Sequence, residues 1–242
     1  MTDGGFRRVG AWGAFALAAS SILYAIAYLA IMPSDQRGDD VGAFFRSYAE
    51  DPTGRRLPSV FFVTAGLAGA LAVAALAERL RGVSLAWARW LGTAGVVANL
   101  AGMAHGVWSL SRVEEPSDLY RTAANQAAVE VVYRQPSGAD PLGVFRFGVG
   151  GLLALLLGLL ILRAADLPRG LGWLGVALGI AMIALFFADW AGAGGLVLLF
   201  GGPASLILLP AFWMWAGVRL LRDAAGVGGP ASRAADAPVG AR

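Results

Sequence analysis

The feature that most constrains this chain is a series of six long apolar runs that contain no Asp, Glu, Lys or Arg. The runs cover residues 9–32, 57–77, 90–111, 147–162, 170–188 and 190–218. Crossing the hydrocarbon layer of a bilayer as an α-helix takes roughly 20 apolar residues. Only 14% of the residues are charged, too few to cover this much apolar surface in a soluble fold. The pattern predicts an all-α, polytopic integral membrane bundle.

The runs set the expected domain organisation. We predict six transmembrane helices at about residues 10–32, 58–78, 89–110, 143–163, 170–189 and 195–219, within one domain over residues 1–222. The long loops predict short amphipathic helices at 116–135, where apolar pairs recur every four residues, and at 39–51. Residues 223–242 are rich in Ala, Gly, Pro and Arg, which is typical of a disordered tail.

Arginine is distributed unevenly between the two sides of these spans. The N-terminus, the 78–89 and 163–169 loops and the tail hold eleven arginines against five acidic residues. The 33–56 and 112–146 loops, together with Asp189, hold eight arginines against eleven acidic residues. Short loops rich in arginine remain in the cytoplasm. We therefore expect a multi-pass protein with both termini in the cytoplasm.

The last apolar run contains two prolines, Pro203 and Pro210, and is longer than one crossing needs. Each proline removes a backbone hydrogen bond and tends to bend a helix. Two interpretations follow: a kinked helix whose first turns lie in the outer interface, or a re-entrant segment at residues 201–205.

Composition excludes several kinds of chemistry. The chain has no cysteine and no lysine, which excludes disulfides, thiolate metal centres and Schiff bases. One histidine cannot supply the paired axial ligands of a transmembrane haem. The GxSxG, HExxH and Walker A motifs are absent, and the arginines form no basic stripe of the kind that binds nucleic acid. We expect no enzymatic activity, no cofactor, no metal site and no nucleic-acid partner.

Four polar residues near the predicted outer ends of the spans form the candidate ligand-binding site: His105, Arg146, Asp189 and Tyr28. Polar and ionisable groups inside a bilayer are costly, so they are the first place to look for function. At 1.5 Å per residue, all four lie within about two turns of the outer surface. They could line one outward-facing pocket. Alternatively, Arg146 and Asp189 reach the headgroups while His105 forms a hydrogen bond between helices.

Two functional hypotheses follow from these observations. The first is a non-enzymatic structural or partner-binding protein, whose partner beyond the lipid bilayer is another membrane protein or a second copy of this chain. The second is an outward-facing binding protein or carrier for a small molecule or lipid, using the polar cluster near the outer leaflet.

The second half of the chain resembles a known family. Residues 151–179 have the sequence GLLALLLGLLILRAADLPRGLGWLGVALG, and residues 209–221 have LPAFWMWAGVRLL. Both are similar to the uncharacterised bacterial six-span proteins grouped as domain of unknown function 4386. The segment DVGAFFRSYAEDPTGRR, residues 40–56, is also similar to a loop of those proteins. The resemblance implies a six-span fold and a location in the bacterial cytoplasmic (inner) membrane, and it implies no catalytic residues.

Overall fold

The computed structural model describes residues 3–27, 45, 52–122, 125–134 and 144–226. Within these residues the chain is helix and turn with no strand, which confirms the predicted all-α class. The predicted helix at 39–51, apart from Phe45, and residues 227–242 of the predicted tail lie outside the described residues.

Eight α-helices and two π-helical turns make up the described part of the chain. The helices are α1 (Asp3–Ile26), α2 (Pro52–Arg79), α3 (Leu85–Thr122), α4 (Gln126–Arg134), α5 (Gly150–Arg163), α6 (Arg169–Trp190), α7 (Gly194–Pro203) and α8 (Leu209–Ala224). The π-helical turn Val144–Val149 leads into α5, and the π-helical turn Ala204–Leu208 joins α7 to α8.

Four stretches of the described chain are long and apolar enough to cross a membrane. They are Gly4–Ile26, Arg56–Arg79, Arg169–Trp190 and Leu199–Ala224. The apolar helix Phe147–Arg163 is shorter, and α3 carries the polar residues Asn99 and His105 in its first part. The length and composition of these four helices indicate a membrane-embedded protein.

Helix α3 extends further than the sequence predicts. It continues through Pro116 to Thr122, and a separate helix, α4, begins at Gln126. The helix predicted at 116–135 is thus divided between two elements. The side chain of Asn125 accepts a hydrogen bond from the backbone N–H of Ala128 at 3.2 Å, which caps the start of α4 and accounts for the division.

The last apolar run remains helical from Leu199 to Ala224, as the kinked-helix interpretation requires. The π-helical turn Ala204–Leu208 directly follows Pro203, whose missing N–H breaks the regular ladder. The carbonyl of Ser205 within this turn accepts a hydrogen bond from Ser21 Oγ at 2.9 Å. Helix α1 therefore stabilises the backbone where the ladder changes.

The helices pack in a ring. Helix α1 lies between α2 and α8, α2 also packs against α3, and α5 packs against α6. Contacts of α3 with α5 and of α6 with α8 complete the circle. A ring of this kind leaves a central space that the side chains either fill or leave open.

Close glycine contacts show that α3 runs antiparallel along α2. A methyl group on Gly95 would lie 2.6 Å from Val73 Cγ2, and one on Gly106 would lie 2.8 Å from Val63 Cγ2. The residue of α3 with the higher number thus contacts the residue of α2 with the lower number, as expected for antiparallel helices. In lipid, the hydrophobic effect does not drive helices together, so their association depends on van der Waals packing. Small residues at such contacts let the helices approach closely enough for that packing.

Helices α5 and α6 have the same antiparallel relation. A methyl group on Gly151 would lie 2.9 Å from Ile183 Cγ1, and one on Gly158 would lie 2.6 Å from the backbone nitrogen of Val176. The second contact is backbone against backbone, so these helices touch without intervening side chains at that level.

One end of the bundle, which we call the closed end, is where α2, α5 and α8 finish and where α1 and α6 begin. Its interior is filled by side chains that are almost fully buried: Ala14, Leu76, Leu80, Leu91, Ile161, Leu171, Ala216 and Leu220. A methyl group on Gly4 would lie 3.6 Å from the carbonyl oxygen of Ala224, so the first and last described helices meet here.

Ion pairs hold the closed end together. The Arg79 guanidinium binds the carboxylate of Asp166, in the α5–α6 turn, and donates from Nε to Asp223 Oδ2 at 2.5 Å. Arg219 donates to the carbonyl oxygen of Asp166 at 3.1 Å. The hydrogen bond from Arg79 holds the pKa of the Asp166 carboxyl below its ordinary value, although partial burial acts in the opposite direction.

Candidate ligand-binding cavity

A cavity of about 420 Å³ lies at the centre of the ring. All the described helices except α4 contribute to its lining, and so do both π-helical turns. The lining residues fall within 17–25, 61–73, 98–102, 145–157, 178–189 and 201–213. These segments lie towards the end of the bundle opposite the closed end, and we call this part the cavity half.

Most of the lining is apolar, and much of that is aromatic. The aromatic residues on the wall are Tyr24, Phe61, Phe62, Phe145, Phe147 and Trp213. The rings of Tyr24 and Phe62 contact each other, with centroids 5.7 Å apart. The two π-helical turns each expose residues to the cavity, and π-helical turns are frequent at functional sites.

Five lining residues carry polar side chains: Ser21, Tyr24, Asn99, Asp189 and Ser205. Ser21 Oγ donates to the Ser205 carbonyl and so links α1 to the second π-helical turn across the cavity wall. A small number of polar groups in an apolar wall is the usual composition of a ligand site.

Asn99 is held by its own helix and by a glycine opposite. Its Nδ2 donates to the Gly95 carbonyl at 2.8 Å. A methyl group on Gly69 of α2 would lie only 2.0 Å from Asn99 Oδ1, so glycine is needed there to accommodate the amide. Asn99 therefore lies at the α2–α3 contact and also contributes to the cavity wall.

Asp189 lies in the last turn of α6, and the helix end fixes its position. The next glycine, Gly192, has φ of 66°, in the left-handed region, and its N–H donates to the Asp189 carbonyl at 3.0 Å. The N–H of Ala193 donates to the Ala188 carbonyl at 2.9 Å, which completes a Schellman motif. The Asp189 side chain is exposed and also lines the cavity, so the cavity reaches the protein surface there.

His105 lies behind the cavity wall. Its ring contacts Phe62, with centroids 6.1 Å apart, and Trp108, with centroids 5.8 Å apart. Phe62 lines the cavity, whereas His105 is not one of the described residues that do so. The imidazole is thus separated from the cavity by one aromatic ring.

The other two sequence-predicted residues are described less fully. Arg146 belongs to the π-helical turn Val144–Val149, between the lining residues Phe145 and Phe147, and its side chain lies outside the described part of the structure. Tyr28 lies outside the described residues. Of the four candidates, the structure places Asp189 on the cavity and His105 one ring away from it.

Several residues that line the cavity were not predicted from the sequence. Tyr24 lies in α1 and could have been considered from the sequence, because it comes four residues before Tyr28 and residues four apart on a helix share a face. Ser21 and Ser205 had none, since serine is common at contacts between membrane helices. Among the described residues, no group of three or more His, Cys, Asp or Glu side chains is placed to hold a metal ion.

No protein-family model, curated protein or solved structure matches this chain. The family resemblance noted in the sequence therefore stays a prediction. The case for a function rests on the cavity and on the residues around it.

Proposed function

We propose that this chain is a six-span membrane protein that binds a small, mainly apolar molecule in its central cavity, as a binding protein or carrier. The observation that supports this is the cavity of about 420 Å³ with an apolar, aromatic wall and a few polar groups. Ligand sites in proteins commonly measure about 300–1,000 Å³ and have this composition. The structural or partner-binding hypothesis gives no reason for such a cavity, so the cavity favours ligand binding. The proposal includes no chemical step.

The helix registers support six crossings. Helix α3 lies antiparallel along α2, and α5 along α6, as the glycine contacts described above indicate. A helix that lies along a membrane-spanning partner crosses the same thickness of bilayer. The π-helical turn before α5 lengthens that helix, and Asn99 of α3 lines the cavity while His105 packs against Phe62.

The arginine excess supports a cytoplasmic closed end, with both termini inside the cell. Because the chain has no cysteine, single introduced cysteines can test this orientation. We choose Ala191→Cys and Ala225→Cys, two exposed positions that directly follow α6 and α8. A membrane-impermeant maleimide added to intact bacterial cells should label Ala191→Cys and should label Ala225→Cys only after lysis. Labelling of Ala225→Cys in intact cells would contradict the orientation.

Ligand binding can be tested with 1-aminoanthracene, whose fluorescence rises in apolar surroundings. Gly202 lines the cavity, and a Cβ atom there would meet nothing within 4 Å. Gly202→Leu should therefore occupy cavity volume and weaken saturable binding of the probe to the purified protein by roughly tenfold or more.

Gly195→Leu is the matched control. Gly195 lies on the same helix, α7, is exposed, does not line the cavity and likewise has open space at its Cβ position. We expect this variant to bind 1-aminoanthracene as the wild type does. Equal weakening in both variants, or no saturable binding to the wild type, would overturn the proposal.

A further inference from the structure

We infer that the cavity prefers a hydrophobic organic cation, such as an amine or a quaternary ammonium compound, over a neutral molecule of the same shape. The inference rests on the proposed function and adds the ligand class. The observation behind it is that the Asp189 carboxylate and several aromatic rings line the same cavity.

The Asp189 carboxylate would attract a positively charged group into the cavity. Among the side chains that the structure describes on the cavity wall, Asp189 is the one that carries a charge. The last turn of α6, to which it belongs, contains no basic residue. A ligand with a positive group near Asp189 would gain a favourable Coulomb interaction, and an anion would be repelled.

The aromatic rings of the lining would also favour a cationic ligand. The face of an aromatic ring carries negative electrostatic potential, and quaternary ammonium groups bind over such faces in many proteins. Tyr24, Phe62, Phe145 and Phe147 all line the cavity, and the first two are in ring contact. Together these rings line a space that could hold both a cationic group and the apolar part of the same ligand.

The helix registers show how these groups are arranged along the cavity. Gly148 of the first π-helical turn lies against Phe186 of α6, since a methyl group there would be 3.6 Å from its ring. Phe145, three residues earlier on the antiparallel chain, is therefore level with Asp189. Leu185, one turn further in, faces Gly201, where a methyl group would lie 3.4 Å away. The cationic end of the ligand would therefore lie near the surface, with its apolar end towards the middle of the bundle.

The test uses two competitors of the same shape, benzyltrimethylammonium and neopentylbenzene, in which a quaternary nitrogen replaces a quaternary carbon. Each is used to displace 1-aminoanthracene from the protein in nanodiscs of phosphatidylcholine, a lipid that carries no net charge. Each competitor is compared between wild type and Asp189→Asn, so that its partitioning into lipid cancels. We expect Asp189→Asn to weaken benzyltrimethylammonium roughly tenfold and to leave neopentylbenzene unchanged.

Two further variants complete the test. Asp189→Glu keeps the charge and should keep the affinity for benzyltrimethylammonium. Glu78→Gln removes an acidic group at the closed end and should change neither competitor. An affinity for benzyltrimethylammonium that is the same in Asp189→Asn as in wild type would overturn the inference, and so would an equal loss for both competitors. Failure of 1-aminoanthracene to bind the wild type would instead overturn the proposed function.

Discussion

The closed end and the cavity half are built from the same helices, and they differ in how far side chains fill the centre of the ring. At the closed end, Gly158 of α5 meets the backbone of α6. In the cavity half, Gly151 of α5 also approaches α6 closely, yet Phe145 and Phe147 of the first π-helical turn and Met182 of α6 line an open space. Small residues at the helix contacts let backbones touch in both parts. The position of the cavity therefore depends on which side chains lie at the centre of the ring and on how far they fill it.

The largest difference between the two parts is expected when a glycine in each is replaced by leucine. Gly158→Leu should prevent stable folding, because even a Cβ atom would lie 2.6 Å from the backbone nitrogen of Val176 and 2.7 Å from the Gly172 carbonyl. We expect a loss of about 4 kcal/mol or more in the free energy of unfolding. Gly202→Leu, on the cavity wall, should remain folded. Size-exclusion chromatography and thermal unfolding of the purified proteins measure both, and similar melting temperatures for the two variants would contradict the contrast.

A smaller effect is expected at the ion pairs of the closed end. Arg79→Met leaves the carboxylate of Asp223, whose side chain is 14% exposed, without its partner. We expect the free energy of unfolding to fall by about 2 kcal/mol. The control is Arg81→Met, which breaks an Arg81–Glu78 pair at 2.7 Å whose side chains are 51% and 35% exposed. This change should cost less than about 0.5 kcal/mol. Equal melting temperatures of the two variants would show that the buried pair does not hold the closed end.

The smallest effect concerns pH. Because pairing with Arg79 lowers the pKa of Asp166 in the folded protein, it stabilises the fold at every pH above the unfolded-state pKa of about 3.9. This contribution is lost as the pH falls through the lowered pKa. Asp166→Asn should therefore have a lower melting temperature than wild type, by no more than about 2 °C, from pH 7 to 5. The difference should shrink below about pH 4. A difference that grows towards acid pH would show that the sign is wrong.

Much of the fold could be predicted from the sequence, because apolar run length is a direct consequence of bilayer thickness. The helices α1, α2 and α6 overlap three of the predicted spans, although α1 begins at Asp3 and not at about residue 10, and the last run forms a helix with a π-helical turn after its first proline. The extension of α3 to Thr122 was not predicted, because Pro116 suggested a helix start and the capping role of Asn125 was overlooked.

The cavity itself could not be predicted, because it depends on how six segments of the chain face one another. Sequence analysis selected polar residues by their depth in the membrane, and depth does not determine which way a side chain points. Asp189 and His105 lie at similar predicted depths, yet Asp189 lines the cavity and His105 lies behind Phe62. The rotation of each helix is fixed by close contacts such as Gly69 against Asn99, which only the packed bundle reveals.

The most direct test of the central claim, an accessible ligand cavity in one half of the bundle, compares two introduced cysteines on α2. Ala65 lines the cavity, and Ala72, two turns further along, is fully buried and is not one of the residues that line it. The small thiol reagent N-ethylmaleimide should modify Ala65→Cys at least roughly tenfold faster than Ala72→Cys, and saturating 1-aminoanthracene should slow only the first reaction. Equal rates at the two positions, or no protection of Ala65→Cys by the probe, would contradict the account.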